Sequence, residues 1–438
     1  MSIFDVTAIL IVVTALFGWL NTRWLRLAPS VGLLAISLAT SLSLLVLHVL
    51  VPGAGLVPTV RGFVARIDFN EALMHGMLAF LLFAGALHAD LDVVLRRRGT
   101  IAMLATVGLL ISTVMVAALC RGVFMLLGFE VRWLACLIFG ALISPTDPIS
   151  VMGALKTLHA PPSLEAKIAG ESLFNDGVAV VVFTALVALL PGVAGHGGHA
   201  TEVTPAGIAW LFLREAGGGA ALGVAAGYAA YRLMLSIDDY KVEVMISLAL
   251  VMGAYALSFR LGVSGPIAMV AAGMLIGNRG RRFAMSEEVA DYLEKFWELV
   301  DEILNAVLFL LIGVEVLMVA FAPQRVLAGL AAVVIVLLAR LVSVWIPITL
   351  LRRRAEFTPA VVRILTWAGL RGGISVALAL SLPPIAEKPL ILSCTYVVVL
   401  FSVLVQGATI RRVLLRLLPG SSPGRGGAGG GAGGGVKY

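Results

Sequence analysis

Apolar runs long enough to cross a bilayer follow one another along nearly the whole chain. A helix needs about 20 apolar residues to span roughly 30 Å of hydrocarbon. About thirteen segments meet or approach that length. They are residues 4–20, 31–51, 70–90, 101–127, 132–154, 166–191, 206–234, 242–260, 264–277, 297–321, 325–350, 359–383 and 389–414. The ninth is short, and must be tilted, broken or reinforced by its neighbours. Only 13% of residues are charged, against about a quarter in soluble domains. The expected fold is therefore an all-α, polytopic membrane protein over residues 1–418. The tail, 419–438, is rich in glycine and is expected to be disordered.

The net charge of +7 does not point to nucleic acid, because the basic residues sit in short loops between apolar runs. Of the 32 Lys and Arg, 22 lie after odd-numbered spans or in the tail, 7 lie in the opposite loops and 3 lie within spans. This asymmetry places the N-terminus outside and the C-terminus in the cytoplasm of a cell membrane. No basic residue precedes the first apolar run, so that run reads as a first membrane helix and not a cleaved leader. Segment 279–296 is polar with helical character, and is expected to lie along the cytoplasmic interface. Cys120, Cys136 and Cys394 have no metal-type spacing and read as core residues. His196 and His199 fall in a Gly-rich loop. No nucleotide loop or hydrolase motif is present, so neither an enzyme nor a resident cofactor is expected.

Two spans carry interruptions. The fifth, "WLACLIFGALISPTDPISVMGAL", has Pro145 and Pro148 around Thr146 and Asp147. Proline lacks the backbone donor and breaks helix hydrogen bonds, so nearby carbonyls lose partners. The twelfth, "VVRILTWAGLRGGISVALALSL", sets Arg371 among Gly369, Gly372 and Gly373. If spans 1–6 and 8–13 are two inverted halves, these are both fifth in their half. Paired interruptions in matching positions point to a central binding site between repeats.

The sixth span opens "GESLFNDGVAVVVF". Glu171, Ser172, Asn175 and Asp176 share one broad helix face by their i,i+3 and i,i+4 spacing. Acids inside a membrane are functional by default and need named partners. An arginine is the natural partner for Glu171, and Arg371 on the broken twelfth span is the expected one. Arg340, on the eleventh span, has two readings: a partner for Glu315, or a cap for carbonyls of a broken helix. Asp176 and Asp147 are left able to take a proton or a cation. The oxygens of Asp176, Asp147, Ser172 and Thr146 suit a hard ion such as Na⁺. That is the minimum machinery for cation/proton exchange.

The stretches "GESLFNDG", "SPTDPIS", "FLLFAGALHADL" and "GLRGGIS" together resemble the NhaP-type branch of the monovalent cation:proton antiporters, relatives of animal Na⁺/H⁺ exchangers. The likeness covers the chain to about residue 415. It implies an NhaA-like antiporter fold of two inverted six-helix repeats with crossing discontinuous helices. It implies that Asp176 carries the ion and the proton, with Asp147, Thr146 and Ser172 as further ligands. Asn175 stands where electrogenic relatives carry a second aspartate, which suggests electroneutral exchange. Glu171 and Arg371 would be a structural ion pair. The resemblance further implies a homodimer in membrane lipid, with a moving core (101–191 and 325–414) and a dimerisation part from the other helices. Na⁺ and H⁺ are the expected substrates, with Li⁺ and K⁺ as alternatives. A channel or sensor on the same scaffold is the rival class. The tail lacks the large regulatory region of animal exchangers.

Overall fold

The computed structural model describes residues 3–51, 60–62, 76–96, 98–158, 162–190, 205–318, 322–351 and 359–417. The Gly-rich tail and the loop of His196 and His199 lie outside them. Helices in chain order are α1 (Ile3–Leu20), α2 (Pro29–Leu50), α3 (Leu78–Leu87), α4 (Arg98–Leu126), α5 (Trp133–Ile143), α6 (Ile149–Thr157), α7 (Pro162–Ala188) and α8 (Pro205–Met234). They continue as α9 (Tyr240–Leu261), α10 (Gly265–Leu275), α11 (Glu287–Glu315), α12 (Pro323–Leu351), α13 (Pro359–Trp367), α14 (Gly373–Leu380) and α15 (Lys388–Leu417). Among them, 7 are long and apolar enough to cross a membrane, and α3 and α5 are shorter apolar helices.

The surface is apolar where a water-soluble protein would be polar. Phe4, Val12, Trp19, Leu126 and Leu350 are all exposed. With lipid tails as solvent there is no gain from hiding such side chains, so helices associate through close packing and polar contacts. The glycines of α8 show how. A Cβ on Gly223 would stand 2.2 Å from the Ala268 carbonyl oxygen of α10, so only glycine permits this approach.

Local signals set the helix ends. Asp239 caps α9 by accepting from Lys241 N at 2.9 Å, and Gly262 (φ 63°) ends it in the left-handed conformation. Ser286 caps α11 through Val289 N at 3.4 Å. From there α11 runs unbroken to Glu315. From Glu287 on, this corrects the expectation of a segment separate from the span over 279–296. Leu293 and Trp297 pack into the same apolar cluster as α3, α9 and α10, and Val289 is buried too, so burial carries the helix straight into its span.

One apolar cluster joins α4, α5, α7, α12, α14 and α15, and a second joins α3, α8, α9, α10 and the start of α11 with Ile101 of α4 and Leu173 of α7. A third binds α1, α2 and α11 to α14 and α15. At one end of the first group, Arg132 before α5 grips Glu387 before α15 through two bonds of 2.8 Å. The Arg132 guanidinium holds the Glu387 carboxyl below the usual carboxylate range. A depressed acid contributes stability above its unfolded value, near 4.3, and loses it as pH falls through the folded value. Arg132→Ala is therefore expected to lower the melting temperature at pH 7, with the difference from the parent shrinking below about pH 4. Thermal unfolding across that range checks this.

Candidate functional site

The interruptions predicted at 145–148 and 369–373 are both present: α5 stops at Ile143 and α6 starts at Ile149, while α13 stops at Trp367 and α14 starts at Gly373. The two gaps meet. Asp147 N donates to Leu370 O at 2.8 Å, an isolated antiparallel bridge between the broken helices. Gly372 is required here, since a Cβ on it would lie 2.4 Å from Asp147 Oδ2.

Helix breaks inside a membrane must have their backbone groups satisfied by protein or water. Arg371 does this for the first break, donating through Nη1 to the carbonyls of Ser144 and of Pro145, the latter at 2.8 Å. It is 1% exposed, and its Nε and Nη2 have no hydrogen-bond partner among the described residues. Its own backbone N donates to Ser402 Oγ at 2.7 Å. Ser402 in turn donates to Gln406, whose Nε2 donates to Trp367 O at 3.1 Å. So α15 holds the second break.

Helix α7 supplies the remaining groups. Asn175 clamps the first break from the side: its Oδ1 accepts from Thr146 N at 3.3 Å and its Nδ2 donates to Thr146 Oγ1 at 2.9 Å. Thr146 Oγ1 also shares a hydrogen bond of 3.0 Å with Ser172 Oγ. Asp176 is buried, and among the described residues no hydrogen bond or ion pair to it is found. Asp147 and Arg371 are the charged groups that act on it most strongly after burial. Thr146, Ser172, Asn175, Asp176 and Asp147 are thus brought together as the sequence suggested.

Glu171 has a different partner from the one expected. Arg340 takes its carboxylate from both sides: Nη1 meets Oε1, and Nη2 meets Oε2 at 3.0 Å. Arg340 also donates to Leu365 O through Nε at 3.3 Å and Nη2 at 3.1 Å, and so ties α7 and α12 to α13. A Cβ on Gly369 would stand 2.4 Å from its Nε. The two arginines have exchanged their expected roles: Arg371 caps carbonyls and Arg340 makes the ion pair. Glu315 lies apart, at the end of α11, in the wall of a cavity of about 570 Å³ shared with Lys388. Ser402 and Gln406 were missed; a glutamine within an otherwise apolar run was the available signal.

Chemically, the site offers hydroxyls, two carboxylates and no sulfur or imidazole. Such oxygen sets suit hard monovalent cations, and a buried carboxylate without a partner suits a proton equally well.

Residues 11–416 match the family described as "Sodium/hydrogen exchanger, transmembrane". The chain is 47% identical over 421 residues to the Na⁺/H⁺ antiporter NhaP of Pseudomonas aeruginosa, covering 95% of this chain and 97% of that one. It is 35% identical over 356 residues to the Na⁺/H⁺ antiporter NhaH of Halobacillus dabanensis, covering 80% and 84%. The structure of the sodium proton antiporter MjNhaP1 from Methanocaldococcus jannaschii superposes with a TM-score of 0.73 at 18% identity, over 96% of this chain and 100% of that one. That likeness establishes the antiporter fold. Taken with the crossing of two broken helices and the sequence match over nearly its whole length, it follows that the chain belongs to the sodium/hydrogen exchanger family.

Proposed function

We propose that this protein exchanges Na⁺ for H⁺ across a cell membrane, one for one, by competition of the two ions for Asp176. The observation that carries the reading is a buried Asp176 without a hydrogen-bond partner among the described residues, set beside Asp147 and the linked hydroxyls of Thr146 and Ser172. A carboxylate out of water needs a proton or a cation to neutralise it, and one carboxylate cannot hold both. The relatives' names support Na⁺ as the cation, while the oxygen set itself would equally take Li⁺ or K⁺.

Charge bookkeeping supports electroneutrality. Arg340 balances Glu171, and the charges of Asp147 and Arg371 act on Asp176 with opposite sign. Asn175 is an amide engaged with Thr146, so it adds no titrating group. Asp176 then returns neutral on both legs of the cycle, loaded with H⁺ or with Na⁺. Alternating access follows if the unit of α4–α7 and α12–α15 shifts as a body against α1–α3 and α8–α11, with the latter group providing a homodimer contact. The basic loops favour a cytoplasmic C-terminus. Such a transporter serves pH and sodium homeostasis.

The roles separate by mutation. Asp176→Asn should leave a folded protein whose Na⁺-driven pH change, read with a dye in proteoliposomes, falls to that of empty vesicles; retained exchange overturns the assignment. Arg340→Ala should instead cost folding, about 3–5 kcal/mol, because it strands a buried carboxylate. Adding Glu171→Gln to Arg340→Ala should recover part of that loss, as read by thermal unfolding of the single and double variants.

A further inference from the structure

Glu243 belongs neither to the ion site nor to its supports. It lies one turn into α9, where its backbone N donates to Asp239 O at 3.0 Å. Its side chain is 0% exposed, and neither carboxylate oxygen has a hydrogen-bond partner among the described residues. Four helices pack on α9: α3, α8, α10 and α11. Helices α3 and α10 contain no ionisable side chain, and His88, just beyond α3, is engaged with Ala84 O at 2.7 Å. On the near half of α8, Arg232 is exposed and reaches Tyr228. At its far end, Arg214 reaches Leu261 O.

Helix α11 offers no free cation either. Lys295 is bound to Asp291 at 2.6 Å, and its other charges at this end are acids. The Trp297 indole N–H is spent on Ser247 Oγ at 3.0 Å, one turn along α9 from Glu243. The charges that do act on Glu243 are Asp238 and Asp239, both negative. Asp239 caps the helix and Asp238 accepts from Ser286 Oγ at 3.0 Å.

An ionised carboxylate enclosed in this way would lose its hydration and gain only repulsion. We propose that Glu243 is a second proton-binding site, separate from Asp176, which holds its proton as long as α8, α9 and α11 stay packed around it. The proton is not exchanged with sodium; it is bound by the fold. Release requires water to reach the carboxyl, so local opening and deprotonation are one event.

The linkage has a definite sign. An unfolded glutamate ionises near pH 4.3. The folded protein keeps this proton above that pH, so Glu243 lowers stability progressively as pH rises, until the folded group also releases. Glutamine matches the neutral carboxyl and has no proton to lose. Thermal unfolding of the full chain and of Glu243→Gln in detergent, from about pH 4.5 to about pH 8.5, tests this. The two should melt together at the acid end. Glu243→Gln should become the more stable by several degrees at the alkaline end. Placing Asp176→Asn in both backgrounds should leave that difference unchanged. An offset equal at all pH values, or a Glu243→Gln protein less stable at alkaline pH, overturns the proposal. If Glu243→Gln does not fold, Glu243→Met must show the same alkaline gain; failure of both also overturns it.

Discussion

Everything at the centre of this molecule depends on one backbone contact, Asp147 N to Leu370 O. Two membrane helices stop short and meet there as extended chain. In hydrocarbon such a meeting is unstable unless the freed amides and carbonyls are satisfied. The bridge settles one amide and one carbonyl. Arg371 settles the carbonyls of Ser144 and Pro145, and Asn175 settles the amide of Thr146. The break is therefore a constructed feature: the carbonyls of Ser144 and Pro145 and the amide of Thr146 are met by side chains from elsewhere in the chain.

The same contacts determine what the site can carry. Asn175 clamps Thr146, and Glu171 binds Arg340. Asp176 is buried without such an engagement. On the proposed reading, two different cations compete for the single negative charge of Asp176 inside a frame held by paired groups. That reading assigns stability and transport to different residues of one helix, α7.

Much of this was legible in the sequence. Proline and glycine act on their own backbone, so the breaks at Pro145–Pro148 and Gly369–Gly373 could be read locally. The grouping of Glu171, Ser172, Asn175 and Asp176 followed from helical spacing alone. What could not be read was which arginine meets Glu171. Arg340 and Arg371 carry the same local signal, a cation within an apolar span, and choosing between them requires the three-dimensional register of α12 and α13 against α7. The unbroken α11 escaped for a related reason. The polar residues from Glu287 to Glu298 suggest a surface segment, but Val289, Leu293 and Trp297 among them are buried.

The central claim is that one exchangeable carboxyl, Asp176, carries either ion and that no further charge moves with it. Exchange by the reconstituted protein, measured while a membrane potential is imposed across the vesicles, tests this most directly. The account predicts the same rate at zero potential and at either polarity. A rate that rises steeply with one polarity and falls with the other would contradict it, and would mean that a second charge, with Asp147 the first to suspect, crosses with each turnover.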